Sequence, residues 1–179
     1  MTDASQLGPI SGNEERMRDM LAHCVPFQTL CGVFTAAAAL TRIYCNSLPI
    51  ITGLDDSWTA EEIISLRPFA MVSLSDVSGL SDDERSLPIG TLYVVIEDNV
   101  KNAGPWDFGA GDRNFKNVIG RIIRSGDFDC PGLRELSLGK QFLDLGEIRL
   151  QAIYRNPEND RATFGDFQTA ALAIDFGPR

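Results

Sequence analysis

The chain has 179 residues, 44% of them hydrophobic and 23% charged, with a formal net charge of −9. A single domain of this length buries about two-thirds of its unfolded surface, so folding needs neither disulfides nor metals. The acidic balance argues against nucleic acid as the main partner, because phosphate contacts need a concentrated basic surface, and no stretch of 18 apolar residues is present to predict a membrane span.

The charge is uneven. Residues 1–100 carry 5 basic and 14 acidic side chains, whereas residues 101–179 carry 11 of each. Either the folded subunit has one acidic and one mixed side, or this is an ordinary solvated surface. Cys24, Cys31, Cys45 and Cys130 form no CxxC pair, and the first three sit in apolar, helical surroundings that predict buried, reduced thiols. His23, the sole histidine, adjoins Cys24, but neighbouring helical residues point about 100° apart. No metal site and no cofactor are therefore expected. Met1–Ser5 lacks the basic and apolar segments of a secretory signal.

Residues 1–10, small and polar around Gly8-Pro9, predict a flexible N-terminus. An N-terminal helical region over 11–66 and a sheet-plus-helix region over 67–179 follow, all in one compact domain. Ser11-Gly12-Asn13-Glu14 fits a capping box, opening a helix to about Cys24 with Met17, Met20, Leu21 and Cys24 on one face; Pro26 ends it. A second helix is predicted from Phe34 to Ser47 through the block Ala36–Ala39. After a loop at Thr52–Ser57, Thr59-Ala60-Glu61-Glu62 opens a short helix, and Arg67-Pro68 turns the chain extended.

Phe69–Leu74 and Gly90–Glu97 predict two strands across the acidic loop Ser75–Pro88; Leu92-Tyr93-Val94-Val95-Ile96 looks central and buried. A loop at Asn99–Asp112 precedes the cleanest helical period in the chain, Phe115, Val118, Ile119, Ile122 and Ile123, with Asp112 as its cap. Two alternating segments, Glu147–Tyr154 and Gln168–Phe176, then form an antiparallel hairpin around the polar connection Asn156–Asp166. The expected fold is α+β: a mainly antiparallel four-stranded sheet in the order β-β-α-β-β, covered by one amphipathic helix, with an N-terminal helical extension.

No motif for catalysis emerges. Gly109-Ala110-Gly111-Asp112 lacks the phosphate-loop spacings, and its carboxylate would repel phosphate. The acidic pairs Asp55-Asp56, Glu61-Glu62 and Asp82-Asp83-Glu84 lie in polar loops or a helix's first turn, whereas paired carboxylates used for proton transfer need unlike environments. Arg113, Lys116, Arg121 and Arg124 make one basic helix face, which either docks an acidic neighbouring copy or is simply solvated. Trp58 and Trp106 lie in loops, as minor core anchors or interface residues.

Phe164-Gly165-Asp166-Phe167-Gln168 leads into a closing strand that ends at Phe176-Gly177. With the order of elements, the segment Arg67–Val72 and the helix Asn114–Arg124, it resembles the tail-terminator (tail-completion) and neck proteins of tailed bacteriophages over residues 60–177. The helical region 11–66 departs from the small terminators, which lack it. The resemblance implies a non-enzymatic virion protein, assembled in the host cytoplasm. It would form a homohexameric ring that caps the tail tube and joins it to the neck or connector proteins, with DNA passing through the lumen without sequence-specific contact. The alternatives are a small binding module using a groove between the Ala-rich helix and the sheet, or an enzyme without a recognisable motif.

Overall fold

The computed structural model describes residues 9–45, 60–78, 89–100, 115–124, 143–156 and 165–178. Most of the expected flexible N-terminus, the loop Thr52–Ser57, the caps Thr59 and Asp112, the Gly104–Gly111 segment, the Asp55-Asp56 and Asp82-Asp83-Glu84 runs and Cys130 lie outside these ranges.

Helix α1 spans Pro9–His23. It begins two residues before the expected capping box, with proline in the first turn, where a helix amide has no partner anyway. Ser11 is thus inside the helix and not at its N-cap. The Glu14 Oε1 accepts the amide of Leu74 at 3.0 Å. Pro26, expected to end the helix, opens a second one: α2 spans Val25–Cys31, with extended Cys24 between the two. It ends at Gly32, whose φ of 68° suits glycine. The Gly32 and Val33 amides close the last turn on Thr29 and Gln28 carbonyls at 3.2 and 3.0 Å.

The predicted helix over 34–47 is mostly not helix. Only Ala36–Leu40 is helical (α3), capped by Thr35, whose Oγ1 accepts the Ala38 amide at 3.2 Å. Phe34 lies outside it and is 94% exposed. Ile43–Cys45 forms strand β1, parallel to β2 (Phe69–Ser78), with Ile43 beside Ala70 and Cys45 beside Val72. A β-branched and aromatic triplet next to an unpaired strand edge gains more from ladder hydrogen bonds than from extending an alanine helix. Helix α4, Ala60–Leu66, carries Glu61 and Glu62 in its first turn, where they match the helix dipole.

The remaining elements are β3 (Ile89–Asn99), α5 (Phe115–Arg124), β4 (Leu143–Arg155) and β5 (Phe167–Pro178). The sheet order is β1-β2-β3-β5-β4, and every pairing after β1–β2 is antiparallel. The fold is α+β. The expected succession β2-β3-α5-β4-β5 is present, but among the described residues the sheet has five strands and is mixed, because β1 adds a parallel edge.

One sheet face carries Ala70, Val72, Leu92, Val94, Ile96, Ala170, Leu172 and Ile174 into a buried cluster. Four helices supply its other side, where one was expected: Met17, Met20 and Leu21 of α1, Phe27 and Leu30 of α2, Ala39 of α3, and Phe115, Val118, Ile119 and Ile122 of α5. The period of Phe115–Ile123 therefore marks the face of α5 turned to the sheet. On the opposite sheet face Phe69 is buried, and the Tyr44 ring meets it edge-on at 6.1 Å and 64°.

Candidate functional site

The two edges of the sheet differ, and the cause is α1. On the β1 side, Arg18 Nε donates to the Ile43 carbonyl and Nη2 to the Leu40 carbonyl, each at 3.1 Å. Glu15, one helical turn earlier, holds the same guanidinium at 3.2 Å. Past the end of β1, the Glu14 carboxylate takes up the Leu74 amide of β2. Bare strand groups that would invite another chain are thus occupied by side chains of this one. The Cys45 thiol beside them is pushed up to about 11, first by burial and then by the Glu15 charge, so it stays an unreactive thiol at neutral pH. Glu14→Ala removes the acceptor and leaves the part-buried Leu74 amide without it. It should cost about 1–3 kcal/mol in denaturant unfolding, whereas Glu14→Gln, which keeps an acceptor oxygen, should cost less. Equal losses would show that the hydrogen bond is not what matters.

Among the described residues the β4 side is open. Along β4, Arg149, Leu150, Gln151 and Ala152 are exposed in succession, where a strand packed on one face would alternate. Leu150 is 46% and Tyr154 48% exposed. No described strand pairs with the outer side of β4. A bulge between Leu150 and Ala152 makes Gln151 the extra residue and shifts the alternation. Ile148, Leu150, Ile153 and Arg155 pair with Ile174, Leu172, Ala170 and Gln168 on the helix side, while Arg149, Ala152 and Tyr154 pair with Ala173, Ala171 and Thr169 on the other.

The charges of β4 are tied inward, to β5 and the hairpin mouth. Arg149 grips Asp175 with two hydrogen bonds, at 2.6 and 2.9 Å. These and a third from Thr91 at 2.9 Å hold the Asp175 carboxyl below its ordinary range. Arg155 forks onto Asp166, with Nε to Oδ1 at 2.7 Å and Nη2 to Oδ2. Asn156 fastens the same point: its amide bonds the Phe167 carbonyl at 3.0 Å, its Oδ1 accepts the Phe167 amide at 2.9 Å, and its Nδ2 donates to the Gly165 carbonyl at 2.9 Å. Gly165 is required by its φ of 72° and by space, since a Cβ there would lie 2.8 Å from Ile64 carbons.

Behind this mouth, on the face away from the core, Arg67 lies with its side chain only 2% exposed. It bonds Glu97 at 3.2 Å and Asn99 Oδ1 at 3.4 Å, and its guanidinium sits 4.1 Å from the centre of the Phe167 ring. Asn99 in turn donates to the Ile64 carbonyl at 2.9 Å, tying α4 to the sheet. Burial raises the Glu97 pKa above its ordinary 4.5, with Arg67 partly offsetting the rise.

Of the residues singled out from sequence, Lys116, Arg121 and Arg124 are exposed on α5, which packs against β4 and α2. The basic residues are therefore carried by a helix that packs against the edge strand β4. Arg113, Trp58 and Trp106 lie outside the described residues. His23 is exposed, and its Nδ1–H donates to the Asp19 carbonyl at 2.8 Å, four residues back on its own helix. Sequence reading missed Glu14 and Arg18 as edge seals, and Leu150 and Tyr154 as exposed apolar groups. The loss of strict alternation after Leu150 was the one available signal.

No model of a known protein family matches this chain, and no curated protein does either.

Proposed function

We propose that this chain is a non-enzymatic structural subunit of a phage-like virion, assembled in the host cytoplasm into an oligomeric ring. The ring, most simply a homohexamer, completes the tail tube or joins tail to head, in contact with tail-tube and neck or connector proteins. The observation that carries the reading is the asymmetry of the sheet: one edge sealed by α1, the other long, exposed on both faces and beside a basic helix. A subunit that assembles needs such an adhesive side. Ring closure needs a surface on the next copy that answers it. The acidic N-terminal half supplies the complementary charge for Lys116, Arg121 and Arg124.

The enzyme alternative finds its best candidate in the Arg67–Glu97 pair, a carboxylate and a guanidinium in dry surroundings. Those two groups answer each other beneath Phe167, and the arginine has almost no exposed surface. A structural role for the pair is the better reading.

The test is assembly of the full chain, followed by light scattering across a range of salt concentrations. Rings should form and weaken as salt rises. The double change Lys116→Glu with Arg121→Glu should abolish them while leaving the thermal melt within about 0.5 kcal/mol of the parent, because exposed helix charges add little to stability. Assembly indifferent to both salt and charge reversal would refute docking through this face.

A further inference from the structure

We propose that the open edge of β4 takes the β4 edge of a second copy, antiparallel, so that two sheets become one across a two-fold axis. The inference rests on the assembly reading only in treating β4 as an adhesive surface; it needs neither a virion nor a ring, and any ring is then built from such pairs and closed through another face, such as that of α5. Its first ground is the unequal edges. Arg18 occupies the Ile43 and Leu40 carbonyls and Glu14 the Leu74 amide, so the β1 side is already engaged by α1 and offers a β4 strand a poorer ladder than another β4 edge does. Edge pairing between copies is then β4 to β4, which is isologous and closes at two.

The second ground is the residues of β4 themselves. Natural edges are kept apart by lysine, proline or charge, and Ile148–Tyr154 has neither lysine nor proline. Its one charge, Arg149, is already bound to Asp175. Because Gln151 shifts the alternation in both copies alike, one antiparallel register keeps like faces together. Leu150 then lies across from Ile153 of the second copy on the helix side, and Arg149 lies across from Tyr154 on the other.

Both exposed apolar residues gain a partner in this register. The arginine, held in place by Asp175, meets an aromatic ring instead of a like charge. A register that set Arg149 against its own copy would be opposed by charge repulsion.

The experiment uses the full chain. Light scattering after size exclusion, over a dilution series, should show a species of twice the 19.6 kDa chain mass. Leu150→Lys, at an exposed position, should weaken that association roughly tenfold or more with an unchanged far-UV spectrum. Arg149→Cys combined with Tyr154→Cys should give a covalent dimer on mild oxidation, while each single change and the parent chain do not.

A monomer throughout overturns the proposal, and so does a dimer that Leu150→Lys leaves intact or single cysteines that cross-link as well as the pair. A ring that survives Leu150→Lys and shows no 149–154 cross-link removes this contact but leaves the ring reading standing. A cross-linked dimer that forms no larger assembly does the reverse.

Discussion

Ile119→Asp should prevent folding. Ile119 is 1% exposed, on α5 beside the buried Phe115, Val118 and Ile122. The change removes about 1.5–3 kcal/mol of apolar burial and places a carboxylate where no water or cation can answer it, at a further cost of several kcal/mol. A domain of this kind has roughly 5–15 kcal/mol in all, so the sum takes most or all of it. The expected result is loss of the cooperative thermal transition and collapse of amide dispersion in NMR spectra. Ile119→Val, which trims one methylene, should cost only about 0.5–1.5 kcal/mol and keep both. A cooperative melt near the parent temperature in Ile119→Asp would mean that α5 does not seat on the sheet as described.

Arg67→Met is the second large effect. It strands Glu97 in a buried site, and breaking such a pair from one side costs about 3–5 kcal/mol. The double change Arg67→Met with Glu97→Gln should recover much of that loss, since the uncompensated charge is gone. The pH dependence gives an independent readout. The folded-state pKa of Glu97 is already raised above 4.5, so the folded chain holds this proton more tightly than the unfolded one. Its contribution is greatest below the unfolded value and is lost as pH rises through the folded one.

Without the arginine charge the folded value rises further. The deficit of Arg67→Met should therefore shrink as urea titrations move from pH ~8 towards pH ~5. A deficit constant over that range would show that Arg67 acts through its Phe167 and Asn99 contacts and not through Glu97.

What was legible in the sequence follows from the range of the forces involved. The face of α5 was readable because five apolar residues repeat at helical spacing, and β3 because its centre is an unbroken apolar run. The Glu61-Glu62 turn is likewise a local matter. Errors came where a distant partner outweighed the local preference. Ile43-Tyr44-Cys45 extends an alanine-rich helix on propensity alone, yet β2, more than 20 residues on, draws it into a strand. Glu14 satisfies a local capping pattern, but the Leu74 amide, 60 residues away, claims its carboxylate.

The first helix ends at His23, just before Pro26 as its pattern predicts, but the same proline also suits the first turn of α2, which local pattern does not announce. The candidate site was half visible. Lys116, Arg121 and Arg124 could be placed on one helix face by counting. The open edge could not, since whether a strand is terminal depends on the order of the sheet and on what α1 covers.

The knot of Asn156, Gly165, Phe167 and the Arg155–Asp166 fork has a consequence for how this chain can vary. It fastens the two hairpin arms at the point where residues 157–164 leave and return, so the arms' alignment does not depend on what that span contains. Lengthening a connection costs only slowly growing closure entropy. This is the place where the polypeptide can acquire new sequence while the rest of its architecture stays fixed.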